Sequence, residues 1–135
     1  AQAVELIKSR KFVKHLLTFE EVLPSIMAPK TYNSDSKELY FARKLYDSET
    51  KTWNRKSSGN RPVTPSYLEA HQYYREMLSI NRDLETGFIK IQIEHISPVF
   101  AKELLALIIR ESNELLRKKD VEESTQGLEY LTSEL

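Results

Sequence analysis

The stretch 87–135 constrains the rest of the chain. Between Gly87 and His95, the residues Ile89, Ile91 and Ile93 alternate with Lys90, Gln92 and Glu94. A period of two puts the isoleucines on one face and the polar residues on the other, the pattern of a half-buried strand. Ser97-Pro98 then changes the period. A serine oxygen can accept from an orphan N–H of the first turn, and proline suits the first helical position, where no N–H is needed. Helical spacing holds from there to Leu135. A strand that feeds such a helix predicts an α+β fold. It is a small antiparallel hairpin or sheet packed by helices, with one long C-terminal helix, 97–135, extending from it.

The partner strand lies upstream. Leu78–Arg82 alternates as well, and Leu84-Glu85-Thr86-Gly87 separates it from the isoleucines. Gly87 can take a positive φ there, so the two runs pair as a hairpin. Ile89, Ile91 and Ile93 are then expected to be buried with Leu104, Leu105 and Ile108. Before the hairpin, Ser66 and Glu69 form an S-x-x-E capping box that opens a helix. At the start of the chain, Phe12, Leu16 and Phe19 recur at helical spacing, and Ser9 can cap a second helix after a short first one. Val22-Leu23-Pro24 is expected to end that region, with a short helical turn near Ser25. Residues 32–64 read as a long loop or insertion. They contain Asn33-Ser34-Asp35-Ser36, Asp47-Ser48-Glu49-Thr50 and Lys56-Ser57-Ser58-Gly59-Asn60, all turn compositions.

The long helix has two halves. Phe100, Leu104, Leu105, Ile108 and Ile109 make the first broadly apolar, as suits burial on a sheet. The second narrows to Val121, Leu128, Leu131 and Leu135 among charges. A helix of this length spans roughly 55 Å at about 1.5 Å per residue, more than a small domain needs. Its outer half is therefore expected to project, with that thin row as candidate oligomer contacts. Glu114 and Lys118 stand as an i, i+4 pair. Gly127 costs the helix about 1 kcal/mol relative to Ala, tolerable if a neighbour packs closely there.

Composition narrows the function classes. The chain has 135 residues, enough for one domain, with 20 basic and 20 acidic side chains. That balance gives no electrostatic footprint for nucleic acid. Cysteine is absent, which removes thiolate chemistry and Cys-based zinc sites. The apolar run Leu104 to Ile109 falls far short of the about 20 residues needed to cross a bilayer. The first residue is Ala1 rather than Met, and the helix reaches Leu135 without a Gly or Pro stop. A piece of a longer chain is expected.

Catalytic chemistry finds little purchase. The three histidines, His15, His71 and His95, have no metal-ligand spacing, and no glycine-rich phosphate loop exists. Glu94, His95 and Ser97 offer acid, base and hydroxyl in sequence. Neighbours on a strand point to opposite faces, however, so Glu94 cannot orient His95 as a triad requires. No catalytic, cofactor or metal residue is assigned. The Arg117-Lys118-Lys119 run is flanked by acids and fits a solvated face. Tyr40, Tyr46 and Trp53 are the candidates for carbohydrate contact, with Tyr73 and Tyr74 further aromatics that could join them.

Four passages together resemble the Wzz-type chain-length determinants, or polysaccharide co-polymerases, of Gram-negative bacteria. They are Ala3 to Phe12, Pro65 to Ala70, the strand–Ser-Pro–helix passage Thr86 to Pro98, and Glu122 to Leu131. The stretch Tyr32 to Trp53 resembles an insertion carried by some members, and Gly127 departs from the small polar residue expected there. The resemblance implies a non-catalytic periplasmic domain between two inner-membrane segments that lie outside this sequence. It implies a homo-oligomer acting with a membrane polysaccharide polymerase, in contact with lipid-linked polysaccharide, to set the length of O-antigen or a related polymer. A carbohydrate-binding or adaptor domain of a cell-envelope assembly is the alternative.

Overall fold

Serine 9 divides the N-terminal helical region in two. Its hydroxyl donates to the Leu6 carbonyl at 2.7 Å and accepts from the Phe12 N–H at 3.1 Å. One side chain thus closes α1 (Gln2–Lys8) and opens α2 (Arg10–Leu16). The computed structural model describes residues 2–134, with side chains through Glu129. The chain then enters α3 (Val22–Met27) through Glu21, whose φ of 71° is left-handed. Pro24 was expected to end helix here, but it lies inside α3. It occupies the first turn, where backbone N–H groups have no intrahelical acceptor, so its missing donor costs nothing.

Residues 32–64, expected as irregular loop, contain strand. β1 (Pro29–Asn33) pairs antiparallel with β2 (Glu38–Phe41), and β3 (Tyr46–Asp47) with β4 (Thr52–Trp53). α4 (Tyr67–Met77) follows, then β5 (Leu78–Arg82) paired antiparallel with β6 (Ile89–Ile93), then α5 (Pro98–Glu134). The fold is α+β: among the described residues, three separate two-stranded sheets, a group of helices, and one long C-terminal helix.

All three hairpins turn in the same way. Asn33 Oδ1 accepts from the N–H groups of Asp35 and Ser36, and Asp47 Oδ1 from those of Glu49 and Thr50. Asp83 Oδ1 accepts from those of Glu85 and Thr86. Four residues after each of these, the chain takes a positive φ: Lys37 at 59°, Lys51 at 56° and Gly87 at 75°. A side-chain oxygen that mimics a backbone turn and a left-handed exit residue together reverse the strand.

The core belongs to the helices. Ile7, Phe12, Val13 and Leu16 of α1 and α2 meet Val22 and Ile26 of α3. Ala70 and Tyr74 of α4, Leu78 of β5, and Phe100, Leu104 and Ile108 of α5 complete the cluster. The Tyr74 hydroxyl donates to the Ile7 carbonyl at 2.7 Å, so a buried polar group finds its partner across the core.

The isoleucine face does not lie in that centre, as the alternation had suggested. Leu78 stands opposite Ile93, and Ile80 opposite Ile91, at the base of the hairpin. Ile91 and Ile93 are half-buried against the core, while Ile89 is half-buried outside that cluster. Leu105, expected among them, is only half-buried too. The cause is geometric: five helices fill the centre, and the hairpin runs away from it. Its tip carries Leu84 at 93% exposure and Phe88 at 75%.

Phe100, Leu104, Ile108 and Ser112 are buried at successive intervals of four along α5. From Arg117 to Glu129 every residue is exposed. The pairing expected of Glu114 with Lys118 goes to Arg117, one turn position nearer, at 2.6 Å from Nη2 to Oε1. Arginine's fork also reaches the second oxygen through Nε. Among the described residues no close neighbour stands at Gly127, where a Cβ would meet no atom within 4 Å. Gly127→Ala is therefore expected to stabilise the outer helix by about 1 kcal/mol. Circular dichroism should show a gain in helicity, and a loss would mean that the position is constrained by something the chain itself does not contain.

Candidate functional site

The best-built polar feature joins the segment after β4 to α4. Ser66 caps α4 as expected, its Oγ accepting from the Glu69 N–H at 3.3 Å. The return half of the capping box does not form. The Glu69 carboxylate instead takes Arg55 in a two-pronged grip, Nη1 to Oε2 at 2.5 Å and Nη2 to Oε1 at 2.9 Å. The same guanidinium donates to the Pro62 carbonyl from Nη2 at 2.7 Å and to the Val63 carbonyl from Nε at 2.9 Å. Only 3% of the Arg55 side chain is exposed, against 28% of Glu69. One buried cation thus straps the irregular 54–65 segment onto α4. The Arg55 hydrogen bonds hold the Glu69 carboxyl below the usual carboxylate range, against the opposing pull of burial, and the charges of Arg55 and Arg61 add to the effect.

Beside this strap opens a cleft of about 420 Å³. Met27, Leu45 and Pro65 supply apolar lining, and Trp53 and Tyr73 supply aromatic rings. Arg61, Gln72 and the Arg55–Glu69 pair provide the polar groups. Trp53 is held by its neighbour Tyr46, with ring centroids 4.7 Å apart and planes tilted by 51°. Phe41 meets Tyr46 edge-on at 5.4 Å. This aromatic column ties the first two hairpins together, and burial pushes the Tyr46 phenol up from its ordinary value.

Of the three aromatic candidates, the structure therefore packs Tyr46 against Trp53, while Tyr40 shares a different groove with Tyr46. Tyr46 is buried and Trp53 borders the cleft. Tyr40 is exposed on the alternate face of β2 and borders a wider groove of about 940 Å³ along the first two hairpins. Tyr73 joins Trp53 at the cleft, and Tyr74 belongs to the core. Arg55 and Glu69 were not foreseen. The S-x-x-E spacing marked Glu69, but as a cap, and nothing in the spacing of Arg55 announces that it is buried.

The histidines are committed elsewhere. His95 Nε2 donates to the Ser25 carbonyl at 2.8 Å and its Nδ1 accepts from the Ser97 N–H at 3.0 Å, so the ring braces α3 against the start of α5. His71 bonds the Lys8 carbonyl at 2.8 Å, and His15 bonds Glu111 at 2.7 Å. Ser97 is the α5 cap, its Oγ accepting from the Phe100 N–H at 3.0 Å. Ser97→Ala is expected to cost about 1 kcal/mol in a urea titration. A serine-directed probe is expected to leave Ser97 unlabelled; labelling would make it a nucleophile instead.

Among the described residues, no three His, Asp or Glu side chains gather to hold a metal ion. No helix among the described residues is long and apolar enough to cross a membrane. Of the row on α5, Val121 and Leu128 are exposed. The side chain of Leu131 and all of Leu135 lie outside the described residues. No family model, curated protein or solved structure matches the chain.

Proposed function

We propose that this chain is a non-catalytic regulator of polysaccharide chain length, of the Wzz type. It would act in the periplasm as a homo-oligomer anchored in the inner membrane beside a polysaccharide polymerase. The observation that carries this reading is α5. Its first half is built into the core, and its second half, exposed from Arg117 to Glu129, extends past it. An exposed helix on a braced base is an arm by which copies can meet, and closure into a ring lets a modest contact count on both sides of every subunit. The sequence resemblance supplies the polysaccharide.

Deleting the gene is expected to change the length distribution of the cell's surface polysaccharide on a gel. Val121→Glu in the full-length protein is expected to loosen the oligomer and shift the distribution the same way. An unchanged distribution after deletion refutes the proposal.

The cleft favours a second reading, a carbohydrate-binding or adaptor module. It combines exposed aromatic surface with fixed polar groups, the usual make-up of a small-ligand site.

A further inference from the structure

The charges around the cleft do not cancel. Arg55 and Glu69 neutralise each other within their fork. Arg61 remains, an exposed cation that makes no ion pair among the described residues, although its field reaches Glu69. Gln72 adds an amide that can both donate and accept. Trp53 and Tyr73 offer aromatic faces, which carry negative charge density and attract the electropositive C–H faces of saturated rings. Tyr73 is 49% exposed, so its surface is open to a ligand.

These groups select among ligands. A phosphate monoester carries close to two negative charges, more than Arg61 alone balances. A neutral ring would leave Arg61 unused. A flat aromatic ligand could stack, but it would make no use of the amide of Gln72. A saturated ring with hydroxyls and a single carboxylate uses every feature. Arginine's planar fork matches a carboxylate with two parallel hydrogen bonds.

We propose that this cleft binds a carboxylate-bearing saccharide. Trp53 and Tyr73 stack the ring, Gln72 bonds a hydroxyl, and Arg61 takes the carboxylate. This rests on the second reading above and names its ligand class. The Arg55–Glu69 strap fixes the cleft's wall and is not itself the anion site.

Trp53 is the chain's sole tryptophan, so its fluorescence reports on the wall of this cleft. Excited at the red edge, where tyrosine does not absorb, the protein is titrated with glucuronate oligosaccharides, with matched neutral glucose oligosaccharides, and with acetate. The expected result is a saturable change with the uronates and a much weaker response to the other two. Arg61→Gln is expected to weaken uronate binding about tenfold and to leave neutral-sugar binding unmoved. Tyr73→Ala is expected to weaken both sugars. Both residues are exposed, so these variants keep the fold, and unchanged melting checks it. Equal binding of uronate and neutral sugar overturns the proposal while leaving the carbohydrate reading in place. No response to either sugar overturns both. A response to acetate equal to that of the uronates also overturns it, since the ring is then not recognised.

Discussion

Ile108→Ala is expected to remove about 2–5 kcal/mol of stability, the range for truncating a fully buried aliphatic side chain. Ile108 is 0% exposed and lies where α5 crosses the N-terminal helices. Its loss leaves a cavity walled by several elements, and such a wall cannot collapse without moving all of them. A domain of this size has about 5–15 kcal/mol in total, so the variant sits near its folding threshold. Ile89→Ala is the control. Ile89 is half-buried at the outer end of β6, opposite Arg82, and its truncation is expected to cost under about 1 kcal/mol. Urea titration separates the two by midpoint at constant slope. Equal losses would place the centre of the core on the hairpin face after all.

The second large effect is at the strap. Glu69→Ala leaves Arg55 nearly enclosed, with only the Pro62 and Val63 carbonyls to face its charge. Stranding a buried ion in this way costs about 3–5 kcal/mol. The protein has a cheaper escape, which is to release the 54–65 segment and hydrate the guanidinium. The expected outcome is thus a loss of global stability capped by local opening, together with faster proteolysis at 54–65. Arg55→Met keeps the bulk and removes the ion, and the partly exposed Glu69 can then turn to water. It is expected to cost less than Glu69→Ala. The reverse order would show that the arginine acts mainly through its bonds to the Pro62 and Val63 carbonyls.

The same pair gives a pH dependence with a definite sign. Glu69 is held below its ordinary value of 4.5, first by the Arg55 hydrogen bonds. Its contribution to stability is therefore complete above 4.5 and is lost as the pH falls through the depressed folded value. Glu111 behaves alike, held down first by His15 and then by Arg110. Acid is expected to free the 54–65 segment before the helical core yields. Limited proteolysis across an acid series checks this. Strap release on the alkaline side would point to another group.

Much of the architecture was legible because it depends on near neighbours. The period change at Ser97-Pro98, the Ser9 cap and the Leu78–Ile93 hairpin are all decided within a few residues, and each forms as expected. The hairpins in 32–64 were legible in principle. Asn33-Ser34-Asp35-Ser36-Lys37, Asp47-Ser48-Glu49-Thr50-Lys51 and Asp83-Leu84-Glu85-Thr86-Gly87 share one pattern. All three read as turns, but only the third stands between two clearly alternating runs, so only there is a hairpin announced. What could not be read was partnership at a distance. Glu69 had a local role available at Ser66, and its choice of Arg55 depends on where 54–65 is carried. The isoleucine alternation shows that one face is covered, but not that helices from the other end of the chain occupy the centre.

The long helix that completes the core also sets the order in which the molecule can form. α1 and α2 bury Ile7, Phe12, Val13 and Leu16 against Phe100, Leu104 and Ile108, nearly a hundred residues later. Until α5 is in place, α3 and α4 cover only part of those apolar faces. The three hairpins close early, because each is held by a turn of a few residues. Docking of α5 on α1 and α2 joins residues far apart in sequence, and such non-local contacts form slowly. Until that moment the nascent N-terminal helices present a sticky surface to chaperones and to one another.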